Sequence, residues 1–324
     1  MTRVIKDFVS ELLVAAVQQR ISDVYILPEK TGYQIRLRQL GAVSVWRRIT
    51  AKLGSQVITY LKFQANMAVS ENRRPQVGAL TWPGEPPLEL RFSTVGDYAG
   101  RESLVIRVIY PYHTGQMAYL DQTQPGQLDH LAAKRGLLLF AGPTGSGKTT
   151  TMYTIASRLA TTATVLTIED PVEIKTDSFI QLQVNAAAGM SYEALLKVGL
   201  RHRPDVFIIG EIRDQLTAQA AVRAALSGHL VLSTIHAQTA SGSVSRLAEL
   251  GVSLAHLRQV LTASCYQRLI PRVSRTPAVL LDILTDQALW QTTRTTTERW
   301  RSTLEQASQQ QVISLETARQ FRAG

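Results

Sequence analysis

The sequence predicts an α/β protein in two parts: a mostly parallel, helix-covered sheet in the second half and a smaller α+β domain before it. Three observations carry that expectation. Beyond residue 128 short apolar runs, "GLLLFAG", "TVLTIED", "DVFIIGE" and "HLVLSTIH", alternate with stretches of helical spacing, the order of a parallel sheet. The first 110 residues instead crowd several strand-like runs around two helical ones. A chain of 324 residues also exceeds what one core commonly holds, so two domains are expected.

Taken in order, residues 5 to 17 place Ile5, Phe8, Val9, Leu12, Leu13, Ala16 and Val17 at helical spacing. The opposite face is not rich in Lys or Arg, so a core-facing helix is expected rather than a membrane-surface one. "VYIL" and "YQIRLRQ" flank a Pro-Glu-Lys-Thr-Gly turn and read as a hairpin. "VSVWRRI" reads as a third strand, "AKLGSQVITYLKFQANM" as a helix, and "LELRFSTV" and "SLVIRVIY" as further strands. From Pro111 to Gln127 the pattern gives way to Pro, Gly, Gln and Tyr, an interdomain linker. The expected boundaries are 1–110, 111–127 and 128–285, followed over 286–324 by a polar helical tail with little core of its own.

Composition fits an ordinary globular protein, at 45% hydrophobic and 19% charged. Thirty-five basic against 25 acidic residues leave a net charge of +10, which suits a polyanion, an anionic membrane surface or simply a basic exterior. The single cysteine, Cys265, excludes an intrachain disulfide and a cysteine-cluster zinc site, and fits a reducing compartment. No apolar run approaches the ~20 residues that span a bilayer. The first twenty residues carry Asp7 and Glu11 and show no secretory signal, so a cytoplasmic location is expected.

The strongest chemical signal is "GPTGSGKTT", residues 142 to 150, which satisfies G-x-x-x-x-G-K-[ST] between an apolar strand and a helical stretch. Gly142, Gly145 and Gly147 let the backbone turn so that its amides face phosphates, with Pro143, Thr144, Ser146 and Thr150 as the other loop residues expected around the nucleotide, and the following helix adds its positive end. Lys148 can reach the β- and γ-phosphates of ATP, and the Thr149 hydroxyl can ligate Mg2+.

Such a loop needs carboxylates, and "VFIIGEIRD", residues 206 to 214, supplies one in an unusual place. Gly210 stands where these strands usually carry aspartate, and the acid follows as Glu211, to which we assign activation of the attacking water. The metal's outer shell then needs another source, and "TVLTIEDPVE" offers Glu169 and Asp170 at the end of its own strand. "SGHLVLSTIHAQTA" brackets a further strand with His229 and His236, imidazoles that could hydrogen-bond the γ-phosphate.

Together these pieces resemble the ATPases of type II secretion, type IV pilus and competence-pseudopilus systems. The matching segments are "GPTGSGKTT", "TIEDPVE", "RPDVFIIGEIRD" and "GHLVLSTIHAQTASGSVSRLAELGV", with "ISDVYILP", "RRPQVGAL" and "RFSTV…GRESLVIRV" upstream. The resemblance implies a RecA-like P-loop domain behind a PAS-like N-terminal domain. It also implies catalysis by Glu211 with Lys148, and acidic and histidine boxes at Glu169, Asp170, His229 and His236. It further implies N-terminal arginines, here Arg91 and Arg107, reaching toward nucleotide. Alternation agrees for Arg91: Leu88, Leu90 and Phe92 share one strand face and Arg91 points away from it. The family's "SDIH" has Tyr25 at its last position here.

Many assembly ATPases carry a four-cysteine zinc insertion after "QRL". Here "IPRVSRTPAVL" follows Gln267-Arg268-Leu269 without a cysteine, so no zinc is expected. The long extra N-terminal domain of type II secretion members is not expected either. A short, zinc-free chain of this kind is most similar to the competence-pseudopilus ATPases of Gram-positive bacteria. That implies a homo-hexameric ring working through a polytopic membrane platform protein to assemble pseudopilins, peripherally associated with the inner face of the cell membrane. The alternatives are a pilus or secretion ATPase of another system, a DNA-translocating motor, or a nucleotide-gated ring scaffold without catalysis. No DNA-contact motif is present, so direct nucleic-acid binding is not expected.

Overall fold

The computed structural model describes residues 2–324 apart from 40, 85–86, 111–116, 186–187, 275 and 292–294. The chain divides into two compact units, Met1–Tyr112 and His113–Gly324.

The first unit begins with helix α1 (Thr2–Gln18), strands β1 (Asp23–Pro28), β2 (Gly32–Gln39) and β3 (Ala42–Thr50), and helix α2 (Ala51–Gln64). Strands β4 (Gln76–Trp82), β5 (Leu88–Gly96) and β6 (Glu102–Ile109) complete it. The strands form one six-stranded sheet in the order β3-β2-β1-β6-β5-β4, antiparallel at every pairing. The expected α1 stripe is buried at Val9, Leu12, Leu13 and Ala16, and it shares a core with Val57, Ile58 and Leu61 of α2 and the inward residues of the sheet. Thr50 starts α2 by accepting the Leu53 amide at 3.3 Å. Gly54 lets that helix lie on Tyr33, whose ring a Cβ would meet at 2.1 Å. Lys62 is buried, and its ammonium holds Glu102 at 2.7 Å and the Glu71 carbonyl at 2.8 Å, so no charge is left uncompensated. Strand β4 is absent from the sequence reading because "QVGALTW" lacks a dense apolar run and sits at the sheet edge.

The second unit runs through α3 (Gln124–Ala132), β7 (Gly136–Ala141), α4 (Lys148–Leu159), β8 (Val165–Glu169), β9 (Ile180–Gln183), α5 (Tyr192–Arg201) and β10 (Val206–Ile212). It continues with α6 (Gln215–Leu226), β11 (Leu230–Ile235), α7 (Gly242–Glu249), α8 (Leu254–Val260), β12 (Leu261–Ile270), β13 (Ala278–Thr285), α9 (Glu298–Gln309) and α10 (Leu315–Gln320). Seven strands pair in the order β13-β12-β7-β11-β10-β8-β9. Six run parallel and β13 alone turns back against β12. Every residue of β7 and β11 is buried, as expected of central parallel strands covered on both faces.

Residues 111–116 of the expected linker lie outside the described residues, but the remainder belongs to the second unit. Tyr119 bridges Val279, and Gln124 exchanges hydrogen bonds with the Leu281 backbone at 2.6 and 3.0 Å. The tail from Asp286 has no core of its own because it enters the main one: Trp300, Leu304, Ile313 and Phe321 are buried there. Thr297 caps α9, and Asp282 accepts its amide at 3.1 Å and its hydroxyl at 2.5 Å.

Candidate nucleotide site

Strand β7 ends at Ala141, and the chain turns through residues 142–147 into α4. Gly142 and Gly147 have φ of 139° and 84°, which side-chain-bearing residues resist. A Cβ on Gly142 would also meet the Gln267 carbonyl at 2.5 Å. Gln267, wholly buried on β12, grips the loop from beneath by donating to the Ser146 carbonyl at 2.7 Å. Pro143, Thr144 and Gly145 form the exposed crest. Lys148 is buried against the loop, donating to the Gly142 and Pro143 carbonyls at 2.8 and 2.9 Å. Burial lowers its pKa to about 8, against the opposing pull of the Glu211 and Glu173 charges. A desolvated ammonium resting on carbonyls at a helix N-terminus is chemically suited to a phosphate, which would supply the missing negative charge.

The acid on β10 is aimed by a bulge. Ile209 pairs with Ser233 of β11 and Glu211 with Thr234, so Gly210 is the extra residue. Two hydroxyls hold this irregular segment: Ser233 donates to the Ile209 carbonyl at 2.6 Å, and Thr234 to the Gly210 carbonyl at 2.8 Å. Gly210 abuts Glu169 at the end of β8, and a Cβ there would approach Glu169 Cγ to 3.0 Å. The buried Glu169 side chain thus occupies the space that an aspartate at 210 would need. It accepts the Tyr153 hydroxyl at 2.5 Å, and burial raises its pKa.

The other acids separate. Asp170 turns outward to an ion pair with Arg213. Glu173 turns inward: the Thr149 hydroxyl lies 3.4 Å from its carboxylate, and its charge is felt by Lys148 and Glu169. Glu173 stands in the "TIEDPVE" segment, but its place in the sequence alone points to no role. Its nearness to Thr149 depends on how the chain returns after Pro171. Gln267 was passed over likewise, although it stands in the quoted "QRL".

The two histidines part company. His236 follows the carboxyl end of β11 and places Nε2 3.2 Å from Glu211, so imidazole and acid share the loop's edge. His229 precedes β11, and parallel pairing sets that end of the strand beside Gly136, at the opposite edge of the sheet from the loop. There its Nδ1 donates a 3.0 Å hydrogen bond to the Ala224 carbonyl and its ring packs edge-on against Phe207. Its expected γ-phosphate contact is therefore corrected for the loop of its own chain. Strand direction excludes it.

Arg91 and Arg107 stand in the first unit as register partners on β5 and β6, and Arg107 is also opposite Asp23 on β1. Asp23 accepts Arg107 Nε at 3.2 Å. Both arginines point away from the buried core face, as alternation predicts.

Residues 2–315 match the family described as Type II/IV secretion system protein. The chain belongs to that family. It is 44% identical over 274 residues to the competence protein ComGA of Streptococcus pneumoniae (strain ATCC BAA-255 / R6), covering 82% of this chain and 85% of that protein. It is 38% identical over 265 residues to ComGA of Bacillus subtilis (strain 168), covering 80% and 74%. Among solved structures it is similar to the Legionella pneumophila ATPase DotB, with a TM-score of 0.74 at 20% identity, covering 97% of this chain and 94% of that one. The pilus retraction motor PilT with bound ADP gives 0.66 at 23%, covering 96% and 95%. These structural likenesses bear on fold, and the α/β architecture expected from sequence is the one observed. As a member of this family with an intact phosphate loop, the chain is an ATP-hydrolysing enzyme.

Proposed function

We infer that this chain is the motor that assembles a competence pseudopilus, working as a homo-hexameric ring against a polytopic membrane platform protein. The similarity to two ComGA proteins over most of their length supports the system. The observation that carries the catalytic reading is the meeting of Lys148, Glu173 and the Glu211–His236 pair around one glycine turn.

In this reading Lys148 leaves its two carbonyls for the β- and γ-phosphates of ATP. Glu211, aimed by the Gly210 bulge, draws the proton of the attacking water, and His236, 3.2 Å from that carboxylate, steadies it. Among the described residues no three His, Cys, Asp or Glu side chains are grouped to grip a metal unaided. Magnesium usually relies on phosphates and water as well, so Thr149 with Glu173 and Glu169 fits it, while Asp170 serves the Arg213 pair. The ion would neutralise charge developing on the phosphates. Arg91 and Arg107 are the arginines we offer to the nucleotide, with Asp23 orienting the second.

Among the described residues no helix is long and apolar enough to cross a membrane, which suits a motor that meets its platform from one side. The test is genetic. Replacing Lys148 by Ala in the chromosome should reduce DNA uptake and pseudopilus formation to the level of a deletion, with normal protein abundance. Undiminished uptake would refute the proposal.

A further inference from the structure

Helix α4 does more than end the phosphate loop. Just over one turn beyond Lys148 it carries Tyr153, fully buried, whose hydroxyl sits at a junction. It donates to Glu169 at 2.5 Å and accepts from Gln181 Nε2 at 2.9 Å. Gln181, on β9, binds the segment between β8 and β9 twice more. It donates to the Ile174 carbonyl at 2.8 Å and accepts the Thr176 amide at 2.9 Å. Ile174 adjoins Glu173, the acid that faces Thr149.

We propose that Tyr153 and Gln181 are positioning residues that tie the acidic segment 170–176 to the phosphate-loop helix, so that Glu169 and Glu173 are held in place for a magnesium–nucleotide complex. The inference rests on the functional reading above. A hydrogen-bonded line runs from Glu169 through Tyr153 to Gln181 and back to the backbone beside Glu173. Both acids thereby take their position from α4, the element that also carries Lys148 and Thr149. Packing reinforces the line, since the rings of Tyr153 and Phe179 lie 5.3 Å apart. An apolar residue at 153 could fill the space. The hydroxyl is needed only to make both bonds, because a buried carboxylate and a half-buried amide would otherwise each lose a partner.

The test uses the full chain, a fluorescent ADP analogue, and amide hydrogen exchange. Tyr153→Phe keeps the ring and removes the junction; Gln181→Met keeps the Tyr153–Glu169 bond and frees the segment. In EDTA both variants should bind the analogue within about twofold of the parent. The extra affinity gained on adding Mg2+ should fall about 10-fold, the usual effect of removing a partner of a metal-site residue. In the nucleotide-free protein the amides of residues 172–176 should exchange faster in both. A folded Tyr153→Phe chain with the parent's magnesium gain and exchange rates would overturn the proposal. Should that variant fail to fold, Gln181→Met decides by the same two readouts. If the parent itself gains nothing from Mg2+, the functional reading fails and takes the proposal with it; if only the variants keep the parent's gain, the proposal alone fails.

Discussion

Placing the customary aspartate back on β10 should damage this protein, because Glu169 already occupies that aspartate's space. Gly210→Ala would set a methyl 3.0 Å from Glu169 Cγ and 3.4 Å from its Cβ. Overpacking of this kind costs about 1–3 kcal/mol, partly offset by about 0.4–1 kcal/mol from the stiffer unfolded chain. Gly210→Asp adds a second carboxylate beside a buried one. At ~4 Å and an effective dielectric near 20 that repulsion is worth about 4 kcal/mol when both are charged. Glu169 is already pushed toward protonation by burial, so part of the cost would be relieved below neutral pH. Urea unfolding at pH 8 should therefore show Gly210→Asp losing about 4–7 kcal/mol. Glu169→Ala should lose about 1–3 kcal/mol, because it leaves the Tyr153 hydroxyl without its acceptor. The decisive quantity is the cycle. The double variant Gly210→Asp, Glu169→Ala should recover at least ~2 kcal/mol relative to the sum of the singles. Strict additivity, or a Gly210→Asp chain as stable as the parent, would refute the idea that Glu169 fills that place.

Two further outcomes follow from the same geometry. With its pKa lowered from 10.5 to about 8, Lys148 loses its proton earlier in the folded chain than in the unfolded one. Its contribution to stability therefore rises with pH between those values. A bound phosphate favours the ammonium, so nucleotide binding should take up roughly 0.7 proton at pH 8.5 and almost none at pH 6.5. Calorimetry in two buffers of different ionisation enthalpy measures this, and no uptake at pH 8.5 would contradict the assignment. Trp300→Ala should cost about 3–5 kcal/mol in unfolding experiments, as expected for a buried indole that also donates to the Phe321 carbonyl at 2.8 Å. A loss under ~1 kcal/mol would show the tail to be peripheral.

What the sequence revealed was mainly what is local. The loop from Gly142 to Thr149 is contiguous, so its glycines, lysine and threonine could be read together. Glu211 was legible because it ends an apolar run. The partnership of Gly210 with Glu169 was not, since it depends on β8 and β10 being neighbours, and only the sheet order supplies that. His229 carried enough information to be placed better. It precedes its strand, and in a parallel sheet that position lies at the edge away from the ligand. Strands β12 and β13 escaped notice because "LTASCYQRLI" has no clean alternation and is buried along most of its length. The tail's entry into the main core was not legible for a related reason: a few large side chains, Trp300 and Phe321 foremost, suffice to bury a segment whose composition is polar.

In the proposed mechanism Glu211 activates the water that attacks the triphosphate held by Lys148 and its loop. Glu211→Gln tests it most directly, when the purified variant is mixed with ATP and Mg2+, desalted rapidly, and its bound nucleotide identified. The account predicts retained triphosphate and turnover slowed by at least ~10². Bound diphosphate at the parent's rate of release would contradict it.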